Sequence, residues 1–157
     1  MQVFLVRHAE AVVETRTLPD PQRHLTAQGR IQAKELGDRM RWHDCAPSHV
    51  WSSPLVRAVQ TAELITSCFA PDVTIEVMPE LAPGQHERVV VAAVGGLPAG
   101  SSVVLVGHEP SLSAIGTLLV GADDFAGLAK AQAARIVDGK LRWRFSWNAE
   151  APELLAR

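Results

Sequence analysis

Cysteine is scarce in this chain. There are two among 157 residues, Cys45 and Cys68, far apart and in no C-x-x-C or zinc-ligand spacing. A disulfide framework is therefore excluded, and two free thiols in a reducing, cytoplasmic setting are the simplest expectation. Long apolar runs are absent too. None approaches the roughly 20 residues that span a bilayer, and Arg7 and Glu10 interrupt the short apolar start, so neither a membrane anchor nor a secretion leader is expected. Charge of one sign is not in excess. Fifteen Lys and Arg stand against 17 Asp and Glu, a formal net charge of −2, which gives no electrostatic basis for binding nucleic acid or an anionic membrane. Gly95-Gly96 and Gly100 fit neither G-x-G-x-x-G nor a phosphate-binding P-loop, which removes support for nucleotide binding. His24, His43, His49 and His86 show no ligand spacing, so no metal or other cofactor is expected. No repeat, linker or low-complexity stretch divides the chain, and one domain over residues 1–157 is expected.

What is present is a run of four apolar residues, Val3-Phe4-Leu5-Val6, that leads straight into Arg7-His8. An uninterrupted apolar run reads as a strand buried on both faces. The pattern recurs at Val103-Val104-Leu105-Val106, which leads into Gly107-His108. In open α/β sheets ligands bind at the carboxyl ends of the strands. Two histidines delivered to that edge, one beside an arginine, mark a candidate active site.

The elements between these strands follow from spacing and turn chemistry. Ala9 to Gln22, with Pro19-Asp20-Pro21, reads as a loop bordering the site. Thr26 is a candidate N-cap for a helix whose apolar stripe is Ala33, Leu36, Gly37 and Met40. Ser48 to Ser52 predicts a second strand. Ser53-Pro54 then predicts a helix, capped by Ser53, with Leu55, Val59, Ala62, Ile65 and Phe69 inward and Arg57 in its first turn. Val73 to Met78 reads as a third strand followed by Pro79-Glu80, and Glu87 to Val94 as a short helix. Glu109-Pro110-Ser111 opens a helix with Leu112, Ile115 and Leu119 inward. In the last third, Asp138-Gly139 separates two strand-like runs, Gln132 to Val137 and Lys140 to Trp147. In the second run Arg142, Arg144 and Ser146 alternate with Trp143, Phe145 and Trp147, which predicts that the arginines face solvent. Trp51, Trp143 and Trp147 read as core or sheet-face residues. Together these units predict an α/β fold, a three-layer α/β/α sandwich on a mostly parallel sheet with a closing hairpin.

Four strand ends thus carry polar groups: Arg7 with His8, Arg57, Glu80, and His108. Any one of them alone reads as an ordinary surface charge or a satisfied histidine. Together they match the needs of phosphoryl transfer. Guanidinium forks suit a tetrahedral oxyanion, and a neutral imidazole can attack phosphorus. A ring of cationic donors also stabilises charge spread over three equatorial oxygens, without a metal. Nearby arginines disfavour imidazolium and so help keep His8 nucleophilic, with the rate falling at low pH as it protonates. Glu10 and Glu109 would repel a phosphate, which points to roles behind the site or in solvent.

Leu5-Val6-Arg7-His8-Ala9-Glu10 resembles the R-H-G signature of the histidine phosphatase superfamily, the phosphoglycerate mutase-like fold, with Ala9 in place of the glycine. The resemblance continues in order through Arg23-x-Leu25-Thr26-x-x-Gly29-x-x-Gln32-Ala33 and Ser52-Ser53-Pro54-x-x-Arg57-Ala58-x-Gln60-Thr61-Ala62, then Pro79-Glu80-Leu81 and Val106-Gly107-His108-Glu109-Pro110. In length and in its lack of large insertions the chain is most similar to the small bacterial phosphohistidine phosphatases (SixA-type). The resemblance implies that His8 is the nucleophile and that Arg7, Arg57 and His108 hold the phosphoryl group. It also makes Arg23 a further substrate contact and places Glu80 where many members have the proton donor. It implies a metal-independent phosphatase working through a phosphohistidine intermediate, with phosphohistidine on a signalling or phosphotransfer protein as substrate. A phosphatase or mutase for small phosphate esters, and a non-catalytic phosphate-binding module, remain alternatives.

Overall fold

The computed structural model describes residues 1–69, 73–123 and 125–154. Its frame is one seven-stranded sheet. In chain order the strands are β1 (Gln2–Arg7), β2 (His49–Ser52), β3 (Ile75–Val77), β4 (Ser102–Gly107), β5 (Gln132–Val137), β6 (Lys140–Ser146) and β7 (Glu153–Leu154). The spatial order is β3-β2-β4-β1-β5-β6-β7. The first four run parallel to one another, and β5, β6 and β7 continue antiparallel. The helices are α1 (Ala27–Trp42), α2 (Val56–Thr66), α3 (Glu87–Gly95) and α4 (Ser111–Val120).

The apolar runs fix the layers. Along β1 and β4, Phe4, Val6, Val104 and Val106 face one core with Leu36, Met40, Ala62 and Ile65 of α1 and α2. Val3, Leu5, Val103 and Leu105 face the other, with Val90, Val94, Leu112 and Ile115 of α3 and α4. Successive strand residues alternate sides, so a strand covered on both faces must be apolar throughout, as these two are. Each such side chain contributes about 1.5–3 kcal/mol by leaving water. The expected α/β/α sandwich is therefore the observed architecture.

Local details follow the sequence in some places and depart from it in others. Thr26 caps α1, its hydroxyl accepting from Gly29 N at 2.9 Å. Asp138 and Gly139 both adopt positive φ, as a two-residue hairpin turn requires. The helix expected from Ser53-Pro54 begins only at Val56, with Leu55 in the capping position; Ser53 is drawn into a different hydrogen bond, described below. The third strand is shorter than expected, Ile75–Val77. Arg144 does not face solvent. It is buried, with its guanidinium 4.3 Å from the Phe125 ring centroid, because β6 is covered on that face by the segment carrying Phe125 and Gly127.

Strand register positions the site. β1 and β4 pair in parallel with Arg7 opposite Gly107, so the next residues, His8 and His108, leave the sheet side by side. The hydrogen bond from His8 N to Gly107 O, 3.1 Å, extends that pairing by one step. On the other side of β4, Ser53 N donates to Val106 O at 2.9 Å, which brings the start of α2 to the same edge.

Candidate active site

At this edge the His8 and His108 ring centroids lie 5.1 Å apart, and both residues are buried. His8 Nδ1 lies 2.7 Å from Ala9 O, an atom that can only accept, so the proton sits on Nδ1. That assignment leaves the Nε2 lone pair free. Arg57 Nε–H donates toward Nε2 at 3.4 Å, which is consistent with the same tautomer. Burial chiefly pushes the His8 pKa down, to about 4. The Ala9 hydrogen bond opposes the shift, and Arg57, Arg7 and Lys130 add to it by charge. The arginines therefore help keep the ring neutral, as expected, but desolvation is the larger cause.

His108 Nε2 is 2.7 Å from Ser53 Oγ, and its Nδ1 is buried with no partner. Burial, and then the charge of His8, pushes its pKa down to about 3; Arg57 and Arg7 add to the shift and Asp20 opposes it. Arg7 is half-buried. Its Nη1 donates to Leu128 O at 2.9 Å, while its Nε has no partner. Arg7 Nε and His108 Nδ1 are thus two buried nitrogens at this edge without a hydrogen-bond partner among the described residues.

Arg57 is held from the far side. Its Nη1 donates to Asp20 O at 2.8 Å and its Nη2 to Asp20 Oδ2 at 3.2 Å. Arg23 joins the same carboxylate, with Nη1 donating to Asp20 Oδ1 at 2.9 Å and Nε to Val12 O at 2.7 Å. The hydrogen bond from Arg23, with Arg57 beside it, holds the Asp20 carboxyl below its ordinary range. Glu80 sits half-buried in a 3-10 turn, Pro79–Leu81, after β3. That turn packs against the end of β4: Leu81 O lies 3.7 Å from the position of a Cβ on Gly107. Among the described residues the Glu80 side chain makes no hydrogen bond to the histidines or arginines. The structure thus brings Arg7, His8, Arg57 and His108 together, attaches Arg23 through Asp20, and leaves Glu80 apart from that network.

Several residues outside the candidate set hold it in place. The loop after His8 is not free: Ala9 N donates to Thr61 Oγ1 at 3.1 Å, Glu10 N to Gln32 Oε1 at 3.0 Å, and Leu25 N to Gln60 Oε1 at 2.8 Å. Thr61 donates onward to Arg57 O at 2.7 Å, so one buried hydroxyl ties the neighbour of His8 to the arginine's helix. Glu10 and Glu109 are each taken up by hydrogen bonds to neighbouring segments. Glu10 Oε1 accepts from Thr26 Oγ at 2.8 Å. Glu109 accepts from Leu128 N at 2.7 Å and from Ser113, fixing the segment whose Leu128 carbonyl takes Arg7. Asp20, Ser53 and Lys130 were not singled out as site residues in the sequence; for Asp20, the flanking prolines were the available signal. His24 and His86 are exposed and His43 and His49 half-buried. Among the described residues no group of three or more His, Cys, Asp or Glu could hold a metal ion, and no helix is long and apolar enough to cross a membrane.

Known proteins share this sequence pattern and this fold. The phosphohistidine phosphatase SixA of Escherichia coli K12 is 30% identical over 112 residues, covering 70% of this chain and 68% of SixA. The probable phosphoglycerate mutase GpmB of Salmonella paratyphi C is 37% identical over 78 residues; the match covers 48% of this chain and only 35% of GpmB. The solved structure of the protein histidine phosphatase SixA complexed with tungstate superposes with a TM-score of 0.85 at 26% identity, over 94% of this chain and 97% of that one. Phosphoglycerate mutase from Plasmodium falciparum shares the fold, with a TM-score of 0.68 at 19% identity, over 99% and 97% of the two chains. The sequence pattern of the histidine phosphatase superfamily, branch 1, matches residues 3–89, and the chain is a hydrolase belonging to that superfamily.

Proposed function

We propose that this protein removes phosphoryl groups from phosphohistidine on a signalling or phosphotransfer protein, passing them through a covalent phosphohistidine on His8. One observation carries the reading: a buried imidazole with its proton fixed on Nδ1 turns its Nε2 lone pair toward a guanidinium, beside a second buried imidazole. That is the arrangement an in-line attack on phosphorus needs. Nε2 bonds to phosphorus as the bond to the substrate nitrogen breaks, and the departing imidazole takes a proton. Water then attacks phosphorus and Nε2 leaves, releasing inorganic phosphate. Arg57 Nε, the unpartnered Arg7 Nε and His108 bind the equatorial oxygens. Arg23 stands behind Arg57 through Asp20, and the half-buried Glu80 is our candidate donor to a poorer leaving group such as an alkoxide. SixA supports the substrate class, since it is named as a phosphohistidine phosphatase and was solved with tungstate, an oxyanion like phosphate. Two free cysteines fit a cytoplasmic setting.

Small phosphate esters are the second reading, supported by the likeness to GpmB. The connection from β3 to α3, residues 78–86, is short, which favours a site open to a protein surface over one that closes around a metabolite. The test is turnover on a phosphohistidine-bearing protein beside a panel of small esters, with radiolabel capture of the enzyme. The expected result is preference for the protein, an acid-labile label on the wild type, and no label on His8→Ala with a loss of at least about a thousandfold in rate. Ester preference would replace the substrate, and tight phosphate binding with neither label nor turnover would replace the enzyme with a binding module.

A further inference from the structure

We infer that Asp20 sets the charge selectivity of this site, disfavouring phosphoryl ligands that carry a second anion; the inference rests on the phosphoryl-transfer reading above. Asp20 lies between two prolines, Pro19 and Pro21, and opens the 3-10 turn Asp20–Gln22, so its backbone direction is restrained. Three contacts converge on it: Arg57 Nη1 to its carbonyl, Arg57 Nη2 to Oδ2 and Arg23 Nη1 to Oδ1. One carboxylate against two guanidiniums leaves the cluster with a single net positive charge.

The two arginines are used differently. Asp20 takes the Nη end of Arg57 and leaves the Nε edge turned to His8, so that edge stays available to a phosphoryl oxygen. Arg23 has its Nε on Val12 O and its Nη1 on Asp20. A rim guanidinium that could otherwise receive a carboxylate or second phosphate is therefore already paired. Exposure rises outward along the chain of contacts: the Arg57 side chain is 6% exposed, Arg23 22% and Asp20 40%. The carboxylate is thus the most exposed of the three, at the Nη end of Arg57 away from His8, and we place the group attached to a bound phosphoryl on that more exposed side. An imidazole there carries no negative charge. A carboxylate there meets Asp20 and finds Arg23 already paired through Nε and Nη1, and like charges brought together across a site are a device of specificity.

A matched pair of non-hydrolysable ligands tests this: propylphosphonate and 3-phosphonopropanoate, which differ by a carboxylate in place of a methyl. Kd is measured by calorimetry for the wild type, for Asp20→Asn, which keeps the volume and the backbone contact, and for Asp20→Asn with Arg23→Gln. The wild type should bind propylphosphonate more tightly. Asp20→Asn should move the ratio of the two Kd values about tenfold toward 3-phosphonopropanoate, the scale of one partly screened charge contact. Adding Arg23→Gln should remove that gain. An unchanged ratio, with both ligands weakened alike, would show that Asp20 only positions Arg57 and would overturn the inference; a shift the other way would overturn it too. Failure of the wild type to bind either phosphonate would instead overturn the phosphoryl-site reading beneath it.

Discussion

At the scale of single residues, the proposed chemistry rests on keeping one imidazole neutral and aimed. The hydrogen bond from Nδ1 to Ala9 O aims it, and burial keeps it neutral. A histidine that titrated at its usual value would lose half its nucleophile near pH 6.5. Here the pKa of His8 is pushed down to about 4, so the unprotonated ring persists well below the ordinary histidine range. The acidic limb of kcat/KM, which reports the free enzyme, should therefore have its midpoint near pH 4 once the ionisation of the substrate is factored out. A midpoint near 6.5 would mean that His8 is far wetter than the structure shows. His8 and His108 were legible in the sequence because each ends an unbroken apolar run, and parallel register needs nothing more to set them side by side. Asp20 was not. Its place comes from a contact with Arg57, 37 residues away, and no periodicity announces a contact between a loop and a helix.

At the scale of elements, the site is a strand exit, a helix start and a loop pinned between them. Gly29 shows how tight the pinning is. A Cβ there would lie 1.9 Å from Glu10 O, the carbonyl that also accepts from Thr26 N. Gly29→Ala must therefore push α1 off the loop that follows His8. Such overpacking against backbone typically costs 1–3 kcal/mol or more, so we expect at least about 2 kcal/mol from chemical denaturation, together with a fall in kcat. A variant of wild-type stability would show that the loop gives way freely. The helix α1, its cap at Thr26 and the Asp138-Gly139 hairpin could be read directly, because capping and turn chemistry are local. The start of α2 and the orientation of Arg144 could not. Ser53 has the right chemistry for a cap, but its hydroxyl is shared: it lies 2.7 Å from His108 Nε2 and accepts from Leu55 N at 3.3 Å, before the helix has begun. Arg144 alternates like a solvent-facing residue, but β6 is covered on both sides, and an aromatic face together with Gly127 O receives the guanidinium.

At the scale of the whole molecule, two neutral histidines buried at one sheet edge tie folding to pH. Unfolded, each ring titrates near 6.5; folded, His8 does so near 4 and His108 near 3. Between those values the unfolded chain binds protons that the folded chain refuses, so stability falls as pH drops through the window. The contribution is fully present above about pH 6.5 and is lost progressively toward pH 4 and then 3. At pH 5 the loss is about 2 kcal/mol per ring relative to pH 7, a large share of the 5–15 kcal/mol typical of a folded protein. Urea midpoints measured at pH 7, 6 and 5 should fall accordingly, and the decline should be shallower in His108→Gln, which removes one titrating ring. An oxyanion that fills the site should flatten it as well, because a dianion beside the rings favours their protonated forms and raises the folded-state pKa values toward the unfolded ones. The two effects share a single origin. If the decline persisted unchanged in both His108→Gln and the phosphate-bound protein, acid sensitivity would have to come from elsewhere in the fold, and the two rings would not be the dry, uncharged pair on which the proposed chemistry depends.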